Sequence, residues 1–204
     1  MNIREYTHED VKNLHRERGE EQAPYDMRKL KPKALSSTLQ EYTPSESMPW
    51  DERRIKHAKR RIEFGYHFSE LGQIKNQSPS VFIDQLFDDA INAPLPNDPH
   101  WMNAYPPFGG SEQEIMQYFE DNFHRYVAYI ETWLEYMRWY PFREKMVLFW
   151  HNHFVTEIGI YELAPFAARY INVLRRNWLG NFKEFVHEIG LDQAMLIYLN
   201  GNEN

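Results

Sequence analysis

Cysteine is absent from all 204 residues. That excludes a disulfide framework, a thiolate zinc site, an iron–sulfur cluster and a cysteine nucleophile. Long apolar runs are absent too: a stretch such as Met146–Trp150 falls far short of the ~20 residues that span a bilayer. The opening MNIREYTHEDVKNLHRERGE is polar and has no apolar h-region. There is no Gly-rich phosphate loop, no nucleophile elbow and no pair of histidines four apart. Basic residues are the minority, 23 Lys and Arg against 30 Asp and Glu, for a net charge of −7. A nucleic-acid partner would ask for a basic face, so none is expected. The one basic cluster, Arg53, Arg54, Lys56, Lys59, Arg60 and Arg61, spreads around a helix and reads as a solvated face.

Aromatics are scarce in residues 1–49, with three of the chain's 32, and prolines punctuate the segment. Such a stretch buries too little surface to offset its ordering entropy. It is expected to be a weakly ordered N-terminal arm, with a docked turn near Leu30–Leu39. Residues 50–204 are expected to form a helical domain.

Within that domain the signals are helical. Asp51 caps a helix with Ile55, Ala58 and Ile62 at its core, and Gly65 stops it. A short helix follows over 69–75. Ser78-Pro79 starts another, since proline at the first helical position loses no hydrogen bond. Residues 93–110 hold five prolines and a Gly-Gly, which excludes a helix, while Trp101, Tyr105 and Phe108 argue for a loop packed on the protein. Ser111 and Glu114 fit a capping box. The spacing of Ile115, Phe119, Phe123, Tyr126, Val127, Ile130, Trp133, Leu134 and Met137 predicts a helix over 112–139, roughly 40 Å long, with this stripe in the core. Pro141 restarts the chain in a helix that is nearly apolar after its first turn, hence central and buried. Helices from about 165, over 182–189 and from 193 complete the chain, with Asn181 and Asp192 as caps. No alternation of strand type is present. The fold expected is all-α, an irregular array of about seven or eight helices with a long central helix and a Pro-rich packed loop.

Only one histidine pair is close in sequence, in Trp150-His151-Asn152-His153-Phe154. Two residues apart on a helix, His151 and His153 diverge by about 200° and cannot share a metal. His153 and Glu157 are four apart and share a face if the helix continues. That spacing suits a divalent metal, or a carboxylate orienting an imidazole for proton transfer. His151 and His153 are thus the catalytic candidates, and His153 and Glu157 the metal candidates. The competing reading makes Trp150, His151, Asn152 and His153 a buried polar cluster between helices.

The block Arg143-Glu144-Lys145-Met146-Val147-Leu148-Phe149-Trp150-His151-Asn152-His153-Phe154 resembles the hallmark of a large bacterial family, domain-of-unknown-function number eighteen hundred. Gly180-Asn181-Phe182-Lys183-Glu184-Phe185 and Asp192-Gln193-Ala194-Met195-Leu196-Ile197-Tyr198-Leu199-Asn200 are similar to its next blocks. Arg61-Ile62-Glu63-Phe64-Gly65 resembles its opening. The resemblance covers residues 50–204 and implies the N-terminal part of a longer domain, whose missing C-terminal half is a candidate partner beside a separate protein. It also implies export or envelope association, whereas the polar start read alone points to the cytoplasm. The family name supplies no activity. Three functions stay open: a scaffold or interaction module, a metal-assisted hydrolase using His153 with residues beyond Asn204, and a binder of envelope polymers using Trp101 and Tyr105.

Overall fold

The computed structural model describes residues 42–201, and all that follows concerns the unit from Pro44 onward. The expected arm up to residue 41, with its docked turn, lies outside the described residues. Nine helices and no strand are present among the described residues. The protein is all-α. None of these helices is long and apolar enough to cross a membrane.

Local chemistry sets most helix starts. The Asp51 carboxylate accepts the Arg54 N–H at 3.0 Å and opens α1, Glu52–Ile62. α2 spans Phe68–Lys75 and α3 spans Pro79–Asn92, the latter capped by Ser78. The helix of 28 residues, α4, runs Glu112–Trp139 behind a complete Ser111–Glu114 capping box. After Tyr140, Pro141 begins α5, Pro141–His153. A single turn not anticipated from sequence, α6 (Ile158–Tyr161), ends on Glu162 in the left-handed region. α7 (Ala164–Arg176), α8 (Phe182–Gly190) and α9 (Gln193–Tyr198) follow, the last two capped by Asn181 and Asp192.

One helix end departs from expectation. α1 stops at Ile62, three residues before Gly65, and Glu63 is extended. The cause is remote: the Lys145 ammonium of α5 donates to the Arg60 carbonyl at 2.8 Å and to the Glu63 carbonyl. It satisfies carbonyls that a helix end leaves unpaired.

The core has two parts. A small cluster joins Ile55, Leu71, Ile74 and Phe82 of α1–α3. The main cluster joins α4, α5 and α7, with α8 and α9 packed on α7. Its contribution from α4 corrects the predicted stripe. The buried residues of α4 are Tyr118, Asn122, Tyr129 and Trp133. Of the expected core, Trp133 is buried and Tyr126, Ile130 and Met137 are half-buried, but Ile115, Phe119, Phe123, Val127 and Leu134 are exposed. Two apolar sectors adjoin on this helix, and only one meets neighbours. The inward sector carries polar tips because α7 offers polar partners: Tyr129 Oη donates to the Ala168 carbonyl, and Asn122 Oδ1 accepts the Ala164 N–H at 2.9 Å.

The Pro-rich loop is packed through Trp101 and its backbone, but not through all three aromatics: Phe108 is fully exposed and Tyr105 is partly so. Trp101 stacks edge-on to Tyr129, Tyr118 Oη donates to the Ala104 carbonyl, and Arg169 donates to Met102 O and Asn103 Oδ1.

Candidate functional site

Because only Tyr140 separates α4 from α5, the first turn of α5 packs against the last turns of α4. That turn carries Arg143 and Glu144, both buried, with Glu144 at 0% exposure. Glu144 Oε2 accepts from Trp133 Nε1 of α4 at 2.9 Å and from Arg175 Nη2 of α7 at 3.0 Å. Its Oε1 accepts from Arg143 Nε at 2.9 Å and Arg175 Nε at 3.0 Å. One carboxylate therefore ties three helices together.

The two arginines are held as well, although Arg143 Nη2 is buried without a hydrogen-bond partner. Arg143 Nη1 donates to the Ala93 and Pro94 carbonyls at the start of the Pro-rich loop, and its guanidinium lies 4.9 Å from the Tyr140 ring centroid. Arg175 Nη1 donates to Asn172 Oδ1 at 2.8 Å. Burial alone would lower the pKa of Arg175, but its bonds to Glu144 and the neighbouring Tyr129 outweigh this and raise it above the ordinary arginine value. Glu144 Oε1 already serves two donors and Oε2 three, counting a longer bond from Arg175 Nε at 3.2 Å. No lone pair remains for a metal or a substrate proton, so this cluster is architectural.

The Trp-His-Asn-His block lies on the second half of α5. The four side chains do not form one buried cluster. Trp150 is half-buried, donates its indole N–H to the Trp178 carbonyl at 3.1 Å, and sits among Phe154, Phe182 and Phe185. His151 is half-buried and stacks on Trp133 with centroids 5.7 Å apart. Its Nδ1 is buried and has no hydrogen-bond partner. Asn152 and His153 are exposed, and His153 only flanks the Trp150 and Phe154 rings.

α5 ends at His153, and Glu157 stands extended before α6. The helical register that would have set His153 and Glu157 on one face therefore stops too early. Among the described residues no group of three or more His, Asp or Glu side chains is arranged to hold a metal ion.

A second polar centre corrects the reading of the basic cluster on α1 as a solvated face, because one of its members turns inward. Lys59 of α1 is buried and bridges Glu63 and Glu70 of α2, the latter at 2.9 Å. Burial pushes the Glu63 carboxyl above its usual range despite Lys59. The cleft beside this centre, about 360 Å³, is walled by Asp89, Trp139 and Tyr140. What conceals the Glu144 cluster is separation, since Glu144 and Arg175 stand 31 residues apart. The usable signal was a charged Arg143-Glu144 pair opening a helix otherwise read as buried.

With this geometry in place, comparison with known proteins identifies the chain. Residues 57–204 match the model of a protein family of unknown function, DUF1800, and the chain belongs to that family. No curated protein and no solved structure matches it.

Proposed function

We propose that this domain is an interaction module, a rigid helical platform that presents one face of α4 to a protein partner. The observation that carries this reading is the exposed sector of that helix. Met116, Phe123 and Leu134 are 67%, 63% and 59% exposed, and Ile115, Phe119 and Val127 accompany them. At 100° per residue these six side chains fall within about 120° of the helix surface. A continuous apolar strip of this kind on a folded surface is what a protein interface uses. The Glu144 cluster supports the reading by fixing α4 against α5 and α7, so the strip is presented on a rigid support.

Neither rival draws comparable support. His153 is exposed without a carboxylate in helical register; Trp101 is engaged with Tyr129, and Tyr105, though exposed, is held by Arg169 and Phe166.

A photo-crosslinking amino acid at position 123, in cells making the protein, tests the module. Protein adducts are expected at 123 and not at the exposed control position Arg53. Equal or absent adducts at the two positions would overturn the reading.

A further inference from the structure

Where α1 and α3 approach α5, the apolar packing is incomplete. Ile62 of α1, Ile83, Leu86 and Phe87 of α3 and Phe142, Met146 and Phe149 of α5 line an open cavity of about 400 Å³, in which the Phe87 and Phe142 rings already meet edge-to-face with centroids 5.0 Å apart. Of the residues lining it, only Arg61 and Lys145 are polar, and both are cations. Lys145 spends two of its donors on the Arg60 and Glu63 carbonyls. Arg61 is exposed and makes no hydrogen bond or ion pair among the described residues.

We propose that this cavity binds a single-chain fatty carboxylate, with the hydrocarbon between α3 and α5 and the carboxylate on Arg61. Volume, lining and charge agree. The cavity lies at the small end of ligand-pocket sizes, about 300 to 1,000 Å³. Its walls offer a hydrocarbon chain contacts that water cannot supply. The polar groups carry one sign of charge, which selects an anionic head over a neutral or cationic one, and a guanidinium pairs a carboxylate through two parallel N–H donors. A chain lying there joins the small cluster to the main one. It therefore binds the folded state and raises its thermal stability.

The test uses the full chain and three ten-carbon probes, decanoate and decyltrimethylammonium below their micelle concentrations and decanol below its solubility limit. Calorimetry is expected to give one decanoate per chain, bound at least tenfold more tightly than either other probe, with a rise in Tm. Arg61→Glu, at an exposed position, is expected to weaken decanoate at least tenfold and to leave decanol within threefold. Met146→Trp fills the cavity and is expected to abolish binding of all three probes. Ile83→Phe narrows it from the opposite wall and serves if the tryptophan variant does not fold. Equal affinity for the three head groups, no response to Arg61→Glu, or undiminished binding in the filled variant would each overturn the proposal.

Discussion

Arg175 of α7 grips Glu144 of α5 with three hydrogen bonds, two from Nε at 3.0 and 3.2 Å and one from Nη2 at 3.0 Å. Both side chains are shielded from water, so neither charge is tolerable alone. Arg175→Met leaves a buried carboxylate facing a single arginine and is expected to destabilise the fold by about 3 to 5 kcal/mol. The triple variant Arg143→Met, Glu144→Leu, Arg175→Met removes the charges together and is expected to lose less than Arg175→Met does. Urea denaturation of the two variants side by side decides this. A smaller loss in the single variant refutes the account.

Asn122 closes the start of α7 from a different helix. Its amide donates to the Glu162 carbonyl at 2.7 Å while its oxygen takes the Ala164 N–H. Leu163, at the cap position itself, supplies no side-chain bond. Asn122→Ala is expected to lower stability by about 1 to 2 kcal/mol, as loss of a helix cap does. An unchanged denaturation midpoint would show that the cap contributes nothing.

The two histidines are expected to behave differently. His153 is exposed, so His153→Ala should change stability by no more than about 0.5 kcal/mol. His151→Ala strips the Trp133 indole of its stacked neighbour and should cost about 1 to 3 kcal/mol. Thermal melts of both variants provide the comparison, and equal effects would contradict the assigned positions.

Alkaline pH is expected to unfold the chain through its buried phenols. Burial pushes Tyr161 up to about 12 and also raises Tyr129 and Tyr170. A phenol that ionises later when folded adds stability present in full below its unfolded value near 10. That stability is lost as pH climbs through the folded value, here between about pH 10 and 12. Lys59, raised overall because its bonds to Glu63 and Glu70 outweigh its burial, adds a loss of the same sign in that range. Tyr161 alone accounts for roughly 2 to 3 kcal/mol by the end of the window. Phenolate absorbance and helical ellipticity should change together, and Tyr161→Phe should move the transition to higher pH. Phenols titrating near pH 10 with the helices intact would disprove the burial.

What the sequence discloses here depends on how far apart the cooperating residues are. Ser111 and Glu114, Ser78 and Pro79, Asn181 and Asp192 act within one turn, and each marks a helix start where the structure has it. The end of α1 was misplaced because its determinant, Lys145, lies more than 80 residues downstream. Periodicity identified α4 as amphipathic but not which half of its broad apolar surface turns inward. That choice rests on Glu144, Asn172 and the Ala168 carbonyl, none of them nearby in the chain. The Trp-His-Asn-His block drew attention through composition, while the cluster that holds the helices together begins seven residues before it at Arg143.

The ammonium of Lys145 closing α1 joins opposite ends of the folding process. A helix stopped by its own sequence forms its last turn on a microsecond scale. The carbonyls that end α1 are instead expected to gain their partner only once α5 is in place. Contacts of such sequence separation form late because they require closure of a long loop first. In hydrogen exchange, the last-turn amides of α1 should therefore gain protection together with those of the first turn of α5, as one cooperative unit.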